Sequence, residues 1–451
     1  MWICSCAVWR PGRHLRSLVF ALTLSVAASA VAQPPPVDLS LPEALFRSLE
    51  RSFGVEAARR DSAAADLRYR AARALRFPDL TLTALSTYKN KVAGFDINMP
   101  PIVLKREIGA KETYQADVEI SQPLFTGGRL TNNIRADRER SLAAASVLRA
   151  EEMSTAYRCR QAYLEVMLAD QMVVASKYSL ERVETIRADV GALFENGMAD
   201  SIDVLDTALA VERAEQALAD QLLAQDLALT SLRRQTGLPQ SQPIVCTEPL
   251  PVPSERLPRD SEPPMGRPEL ERMQRLVNAA EFTTSASRAD YFPSLAGFAK
   301  YSYGKPNQDL FENKWNDYLM VGLRLSWSLN LANRSGRSTG ALDEGARAAK
   351  SAREELEDDL IQQYERALEQ ADYAFDTMTR VGSQRDLAQR KFALARERQR
   401  AGALSTNRLL EMEADLSALD RLQAASIIRF YLAKNDYLYA IGSKRIFGGI
   451  R

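Results

Sequence analysis

The chain has 451 residues, 46% of them hydrophobic and 26% charged, with a single histidine and a formal net charge of +1. That balance gives no general attraction to nucleic acid. It permits a folded protein but suits long amphipathic helices better than one thick core.

Arg10, Arg13 and Arg16 precede the apolar run Leu18 to Ala32, which closes on Ala30-Val31-Ala32 before Gln33. Residues 1–32 therefore have the form of a secretory signal peptide, and the mature chain is expected to begin near Gln33. No other segment approaches the ~18 consecutive apolar residues of a membrane-spanning helix, so any membrane passage must use strands. Cys4 and Cys6 lie ahead of the apolar run rather than at the cleavage site, so no lipid attachment is expected. Cleavage removes His14 and three arginines, which leaves no histidine and a net charge of about −2. Histidine-dependent triads are excluded, His/Cys metal sites are unsupported, and no cofactor is expected. Cys159 falls in a helix pattern and Cys246 in a linker; a disulfide stays open, and one buried with one exposed thiol is the favoured reading.

Ser40-Leu41-Pro42-Glu43 has the pattern of a capping box with proline in the first turn, so a helix is expected from Ser40 to about Arg76. Phe77-Pro78-Asp79 breaks it, and Leu80 to Asn90 reads as a strand that includes Tyr88. Asn90 to Lys111, with Gly94, Pro100, Pro101 and Gly109, reads as a long loop. From Glu112 to Pro123 the pattern alternates: Tyr114, Ala116, Val118 and Ile120 fall on one face, Gln115, Asp117, Glu119 and Ser121 on the other. Pro123 is expected to end that strand, and Gly127-Gly128 to free the backbone for a corner. No Gly or Pro occurs from Arg129 to Val190, and 62 helical residues would span roughly 93 Å. Gly197 interrupts this pattern, and Met198 to Thr236 is a second helical run closed by Gly237. Val204, Val211 and Leu218, with Leu222 and Leu229 on the complementary seam, give it an imperfect coiled-coil character. Nine prolines from Pro239 to Pro268 mark an extended linker.

The pattern then recurs. Phe77-Pro78 is echoed by Phe292-Pro293, 215 residues on, and later landmarks shift by 205: Ser121 to Ser326, Gly197 to Gly402, Gly237 to Gly442. The difference fits a shorter loop in the second copy, Gly304 to Asp317. The chain is a tandem duplication: residues 33–238 form the first repeat, 239–266 the linker, 267–442 the second repeat and 443–451 a tail. In the second copy Leu319, Val321, Leu323, Leu325, Trp327 and Leu329 alternate with Met320, Gly322, Arg324, Ser326 and Ser328.

Four strands of about ten residues with apolar faces and aromatic ends match the patterning of an outer-membrane barrel. Tyr88, Tyr301, Tyr303 and Trp327 then read as interface anchors. A barrel needs about eight strands to close, so this reading requires an oligomer. A soluble sheet packed on helices is the competing interpretation.

The stretches SQPLFTGGR at Ser121 to Arg129, FENGMADSIDVLD at Phe194 to Asp206, LRRQTGLP at Leu232 to Pro239, and Arg267-Pro268-Glu269-Leu270 together resemble the TolC family of outer-membrane channels. The resemblance covers Val37 to Gly442. It implies a mainly α fold with a small antiparallel β part. Three chains would build one twelve-stranded β-barrel in outer-membrane lipid, joined to a twelve-helix periplasmic α-barrel tunnel of a Gram-negative cell. It also implies that the linker and the tail wrap the tunnel as an equatorial belt. The expected function is a passive exit duct, recruited by a periplasmic adaptor and an inner-membrane pump or ABC transporter for drug efflux or type I protein secretion. No phosphate-binding loop occurs, so energy would come from the partner.

Asp203 and Asp206, three apart beyond the Gly197 break, share one helical face, and a solvated acidic patch is the plainer interpretation. The resemblance makes them gate candidates, since three copies of each acid would ring the periplasmic mouth and attract cations. The best-known channels carry an aspartate pair in the second copy where this chain has Arg408 and Glu411. By resemblance Asp203 matches a position in the network that holds the mouth shut, with Arg408 placed to pair with it or with Asp206. A periplasmic coiled-coil scaffold or adaptor without a pore would explain the helices but not the strands. An enzyme would have to work without histidine.

Overall fold

The computed structural model describes residues 36–99, 102–259, 266–307, 313–328 and 332–448. The expected signal peptide, and Leu329 of the predicted apolar face, lie outside the described residues.

After a short strand β1 (Val37–Leu39), helix α1 (Leu41–Arg51) is capped by Ser40, whose hydroxyl accepts from Glu43 N–H at 3.4 Å. Glu43 does not complete the predicted box; its carboxylate pairs with Arg47 at 2.7 Å. The single helix expected to Arg76 is broken at Ser52, where the hydroxyl caps a new helix α2 (Phe53–Ala74) by accepting from Val55 N–H. A serine that offers the backbone a local partner, followed by Gly54 in the first turn, accounts for the break.

Strand β2 (Asp79–Tyr88) follows as expected. The predicted loop over Asn90 to Lys111 is instead a hairpin of β3 (Ala93–Met99) and β4 (Ile102–Ile108). Its prolines fall between the strands in sequence rather than inside them, and Gly109 at φ +102° turns the chain back into β5 (Glu112–Phe125). Pro123 does not end β5. Pairing to β2 stops at Ser121, while pairing to the next strand continues past Pro123 to Phe125 through a bulge. A residue without an N–H is tolerated where one neighbour has ended and the other is irregular.

Gly127 and Gly128, at φ +61° and +86°, form the corner. Helix α3 (Arg129–Glu195) then runs 67 residues, about 100 Å at 1.5 Å per residue. Gly197 at φ +71° turns the chain into α4 (Ser201–Thr236), which ends on Gly237. The linker carries a short strand β6 (Ile244–Cys246), parallel to β1. The chain continues as α5 (Pro268–Ser287), β7 (Ser294–Lys305), β8 (Asn316–Ser326), α6 (Arg334–Arg400) and α7 (Thr406–Ala440), the stretch expected from the sequence to be the second repeat. Like α3, α6 has 67 residues.

The main core lies where the chain passes midway along the long helices. Leu41, Leu45, Tyr163, Leu164, Leu232, Ile428 and, from the tail, Ile446 are buried together there. The linker is tied to the second repeat by Tyr431 and Tyr437, whose hydroxyls donate to Pro251 O and Pro258 O, and by the pairs Arg256–Asp376 and Arg259–Asp372. Cys159 and Cys246 are free thiols, the first buried and the second half-buried. Burial pushes them up to about 11 and about 12.

Candidate functional site

Two regions carry the residues singled out in the sequence: the four-stranded sheet and the helix breaks at Gly197 and Gly402.

The sheet runs β2-β5-β7-β8, antiparallel throughout. Register places Leu82, Val118, Tyr301 and Leu319 in one row across all four strands, at 73, 37, 44 and 68% exposure. An apolar row this open, on strands of ten to fourteen residues, lacks a partner layer among the described residues. The other face mixes charged with apolar side chains such as Leu85 and Met320: Lys300 pairs with Asp117 at 2.7 Å, and Arg324 lies over the Phe298 ring at 5.1 Å. The predicted aromatics do not all stand at strand ends. Tyr88 lies at the end away from the helices with Tyr303 nearer to it, Tyr301 stands mid-sheet in the row of Leu82 and Val118 rather than at an end, and Trp327 follows β8 at the helix end with exposed Phe77 and Phe292. Trp315, assigned to a loop by sequence, stacks on Tyr303 with centroids 5.1 Å apart.

At the joint, Arg129 of the first repeat is ion-paired with Asp290 of the second. Gly127 packs so closely there that a Cβ would lie 3.0 Å from Ala289 O.

At the helix break, Asp200 caps α4 by accepting from Ile202 and Asp203 N–H at 2.7 and 2.9 Å. The Asp203 carboxylate returns the contact, accepting from Asp200 N–H at 3.3 Å. Asp203 thus closes the first turn of its own helix. Asp206 lies further in, in a crevice of about 530 Å³ whose other walls include Arg213, Glu411, Glu413 and Arg421. Arg408 pairs with Glu411 on its own helix rather than with Asp203 or Asp206 of this chain. Asp206 and Glu411 therefore share a crevice, and Asp203 and Arg408 stand outside it.

Sequence reading missed the polar cluster behind this crevice. Glu413, 5% exposed, accepts from Ser179 at 3.1 Å and from Arg182 Nε at 3.2 Å. Arg182 also reaches Ser417 and Asp420, and Arg385 of α6 closes on Asp420 at 3.0 Å. The signal was present: Glu413 and Asp420 stand seven apart on a helix whose buried seam includes Leu409 and Leu416. Nearer the break, Asp189 of α3 receives both Arg396 and Arg400 of α6.

Residues 45–238 match the Outer membrane efflux protein family. The fold agrees, since 92% of the chain superposes on 96% of CusC with a TM-score of 0.76 at 17% identity. The resemblance to the TolC-like outer-membrane channels holds. VceC of Vibrio cholerae is a further structural neighbour, with a TM-score of 0.75 at 15% identity over 91% of this chain and 97% of that one. In sequence, the probable efflux pump outer membrane protein SepC of Pseudomonas putida is 29% identical over 193 residues. That alignment takes in 42% of this chain, and the chain spans 40% of the length of that relative. The family matched is one of outer-membrane efflux channels and not of enzymes. Among the described residues no helix is long and apolar enough to cross a membrane.

Proposed function

We propose that this chain is the outer-membrane exit duct of a tripartite export machine, and not an enzyme. Three copies join edge to edge, β8 of one chain to β2 of the next, into a twelve-stranded barrel, and the long helices continue it as a twelve-helix tunnel. The observation that carries this is the exposed apolar row Leu82–Val118–Tyr301–Leu319, on a sheet with an ion pair behind it and no covering layer among the described residues. Ten residues at about 3.4 Å, tilted about 40°, rise about 25 Å, the height of the apolar band of such barrels. A periplasmic adaptor and an inner-membrane pump or ABC transporter supply recognition and energy, and drugs or secreted proteins are the cargo.

Asp203, Asp206, Arg408 and Glu411 form the periplasmic gate. Asp206 and Glu411, in the crevice, set selectivity for cations, and Asp203 acts through the first turn of α4. Residues 239–266 and 443–451 form the belt around the tunnel.

Reconstitution of the mature protein in planar bilayers tests the reading. A small, cation-selective conductance that rises or loses divalent block in Asp203→Ala/Asp206→Ala is expected. A monomeric, water-soluble protein without conductance would return the chain to the class of periplasmic scaffolds.

A further inference from the structure

The two repeats end their second helices alike, on Gly237 and Gly442 with φ +71° and +65°, and each glycine is crossed by an arginine side chain. At Gly442 this is Arg267, 3% exposed and fully engaged. Its guanidinium holds Glu269 through two bonds of 2.9 and 3.0 Å, donates to Tyr439 O, and lies 4.3 Å above the Tyr439 ring. At Gly237 the crossing residue is Arg51, whose Cδ would sit 2.8 Å from an added Cβ. Here the carboxylate is missing: Glu269 stands two residues after Arg267, whereas two residues after Arg51 stands Phe53.

Around Arg51 opens a cavity of about 610 Å³, lined by Ser48, Phe53, Arg233, Arg234 and Gln240 among others. Arg233 is satisfied by Gln242 O at 3.1 Å and, at 3.8 Å, by the exposed Asp226. Among the described residues neither Arg51 nor Arg234 has a carboxylate within ion-pair distance. The carboxy-terminal ends of α1 and α4 offset only part of this charge. Ser48, 1% exposed, brings a hydroxyl that approaches the Cys159 thiol without the geometry of a hydrogen bond and has no other partner. Phe53, 82% exposed, forms an apolar lip beside Arg51, whose guanidinium lies 6.0 Å from the ring.

We infer that this pocket binds a carboxylate-bearing ligand, which supplies to Arg51 and Arg234 the carboxylate that Glu269 supplies to Arg267 in the second repeat. Two guanidinium forks grip a planar carboxylate in a way that a point charge does not. Phe53 takes an apolar or aromatic group next to it, so a short peptide with a free C-terminal carboxylate has the required chemistry. The inference does not depend on the exit-duct reading.

The test uses the full mature chain in detergent and a fluorescein-labelled Ala-Ala-Phe peptide followed by polarisation. Saturable binding is expected. The C-terminally amidated peptide, Arg51→Gln and Arg234→Gln should each weaken it by about tenfold or more, and Arg51→Lys, which keeps charge but loses the fork, should fall between. Inorganic phosphate competing as well as the free peptide acid would overturn the carboxylate assignment. Binding unchanged in both glutamine variants would overturn the site. Absence of saturable binding would overturn it too.

Discussion

Arg182 on α3 reaches Asp420 on α7 at 3.1 Å while its Nε holds the buried Glu413 on the same helix. One side chain thus fastens α3 to α7 behind the crevice that holds Asp206. Its removal leaves Glu413 with serine partners only, whereas Asp420 keeps Arg385. Arg182→Ala is expected to cost about 3–5 kcal/mol, the penalty for stranding a buried charge. Chemical unfolding in detergent measures it, and Arg385→Ala, whose carboxylate keeps Arg182, should cost distinctly less.

The corner glycines should not be equivalent. Both need a left-handed backbone, which costs an L-residue about 1–2 kcal/mol. At Gly127 a Cβ also meets Ala289 O and Phe292 Cβ at 3.0 Å, whereas at Gly128 nothing lies closer than 3.7 Å. Gly127→Ala should therefore lower the melting temperature more than Gly128→Ala. Equal shifts would show that the corner relaxes freely.

Burial raises Asp436 above its ordinary value of 3.8, against a hydrogen bond donated by Tyr157 at 2.7 Å. A carboxyl raised in the folded state favours folding below its unfolded value, and that contribution is lost as pH climbs through the folded value. Asp436→Asn should accordingly stabilise the protein at neutral pH, with the gain fading below about pH 4. Thermal unfolding at the two pH values decides it, and a variant less stable at both would refute the sign.

Beyond residue 32, Trp315 and Trp327 are the only tryptophans of the sequence. In Trp315→Phe the emission comes from Trp327 alone, at the helix end of the sheet. Lipids brominated near the headgroup are expected to quench it more than lipids brominated at the chain ends, as for an aromatic anchored at the interface. No quenching by either would place the sheet outside the bilayer.

Much of this architecture could be read from punctuation. Gly197, Gly237, Gly402 and Gly442 all stand at positive φ, so the glycines that recur at the 205-residue spacing also mark the corners. Errors arose where local chemistry had two solutions. Ser52 reads as an ordinary helical residue until its hydroxyl caps Val55, and Pro123 reads as a strand end until one sees that β2 has already stopped. Asp203 shows the same limit at the candidate gate. Its spacing from Asp206 suggests a shared acidic face, while Asp200 at the N-cap makes it a capping partner instead. Glu413 and Arg182 lie 231 residues apart, and no periodicity announces a pair at that separation.

The matched 67 residues of α3 and α6 act like the legs of one table. Losing a single residue from one leg alone would shorten it by about 1.5 Å and swing everything below the cut through about 100°. The turn at Gly197 would then face a different neighbour while the one at Gly402 stayed put. Length in this chain is therefore tolerant at the hairpin tips and the linker but indivisible in the legs, where a change must come in both or as whole turns.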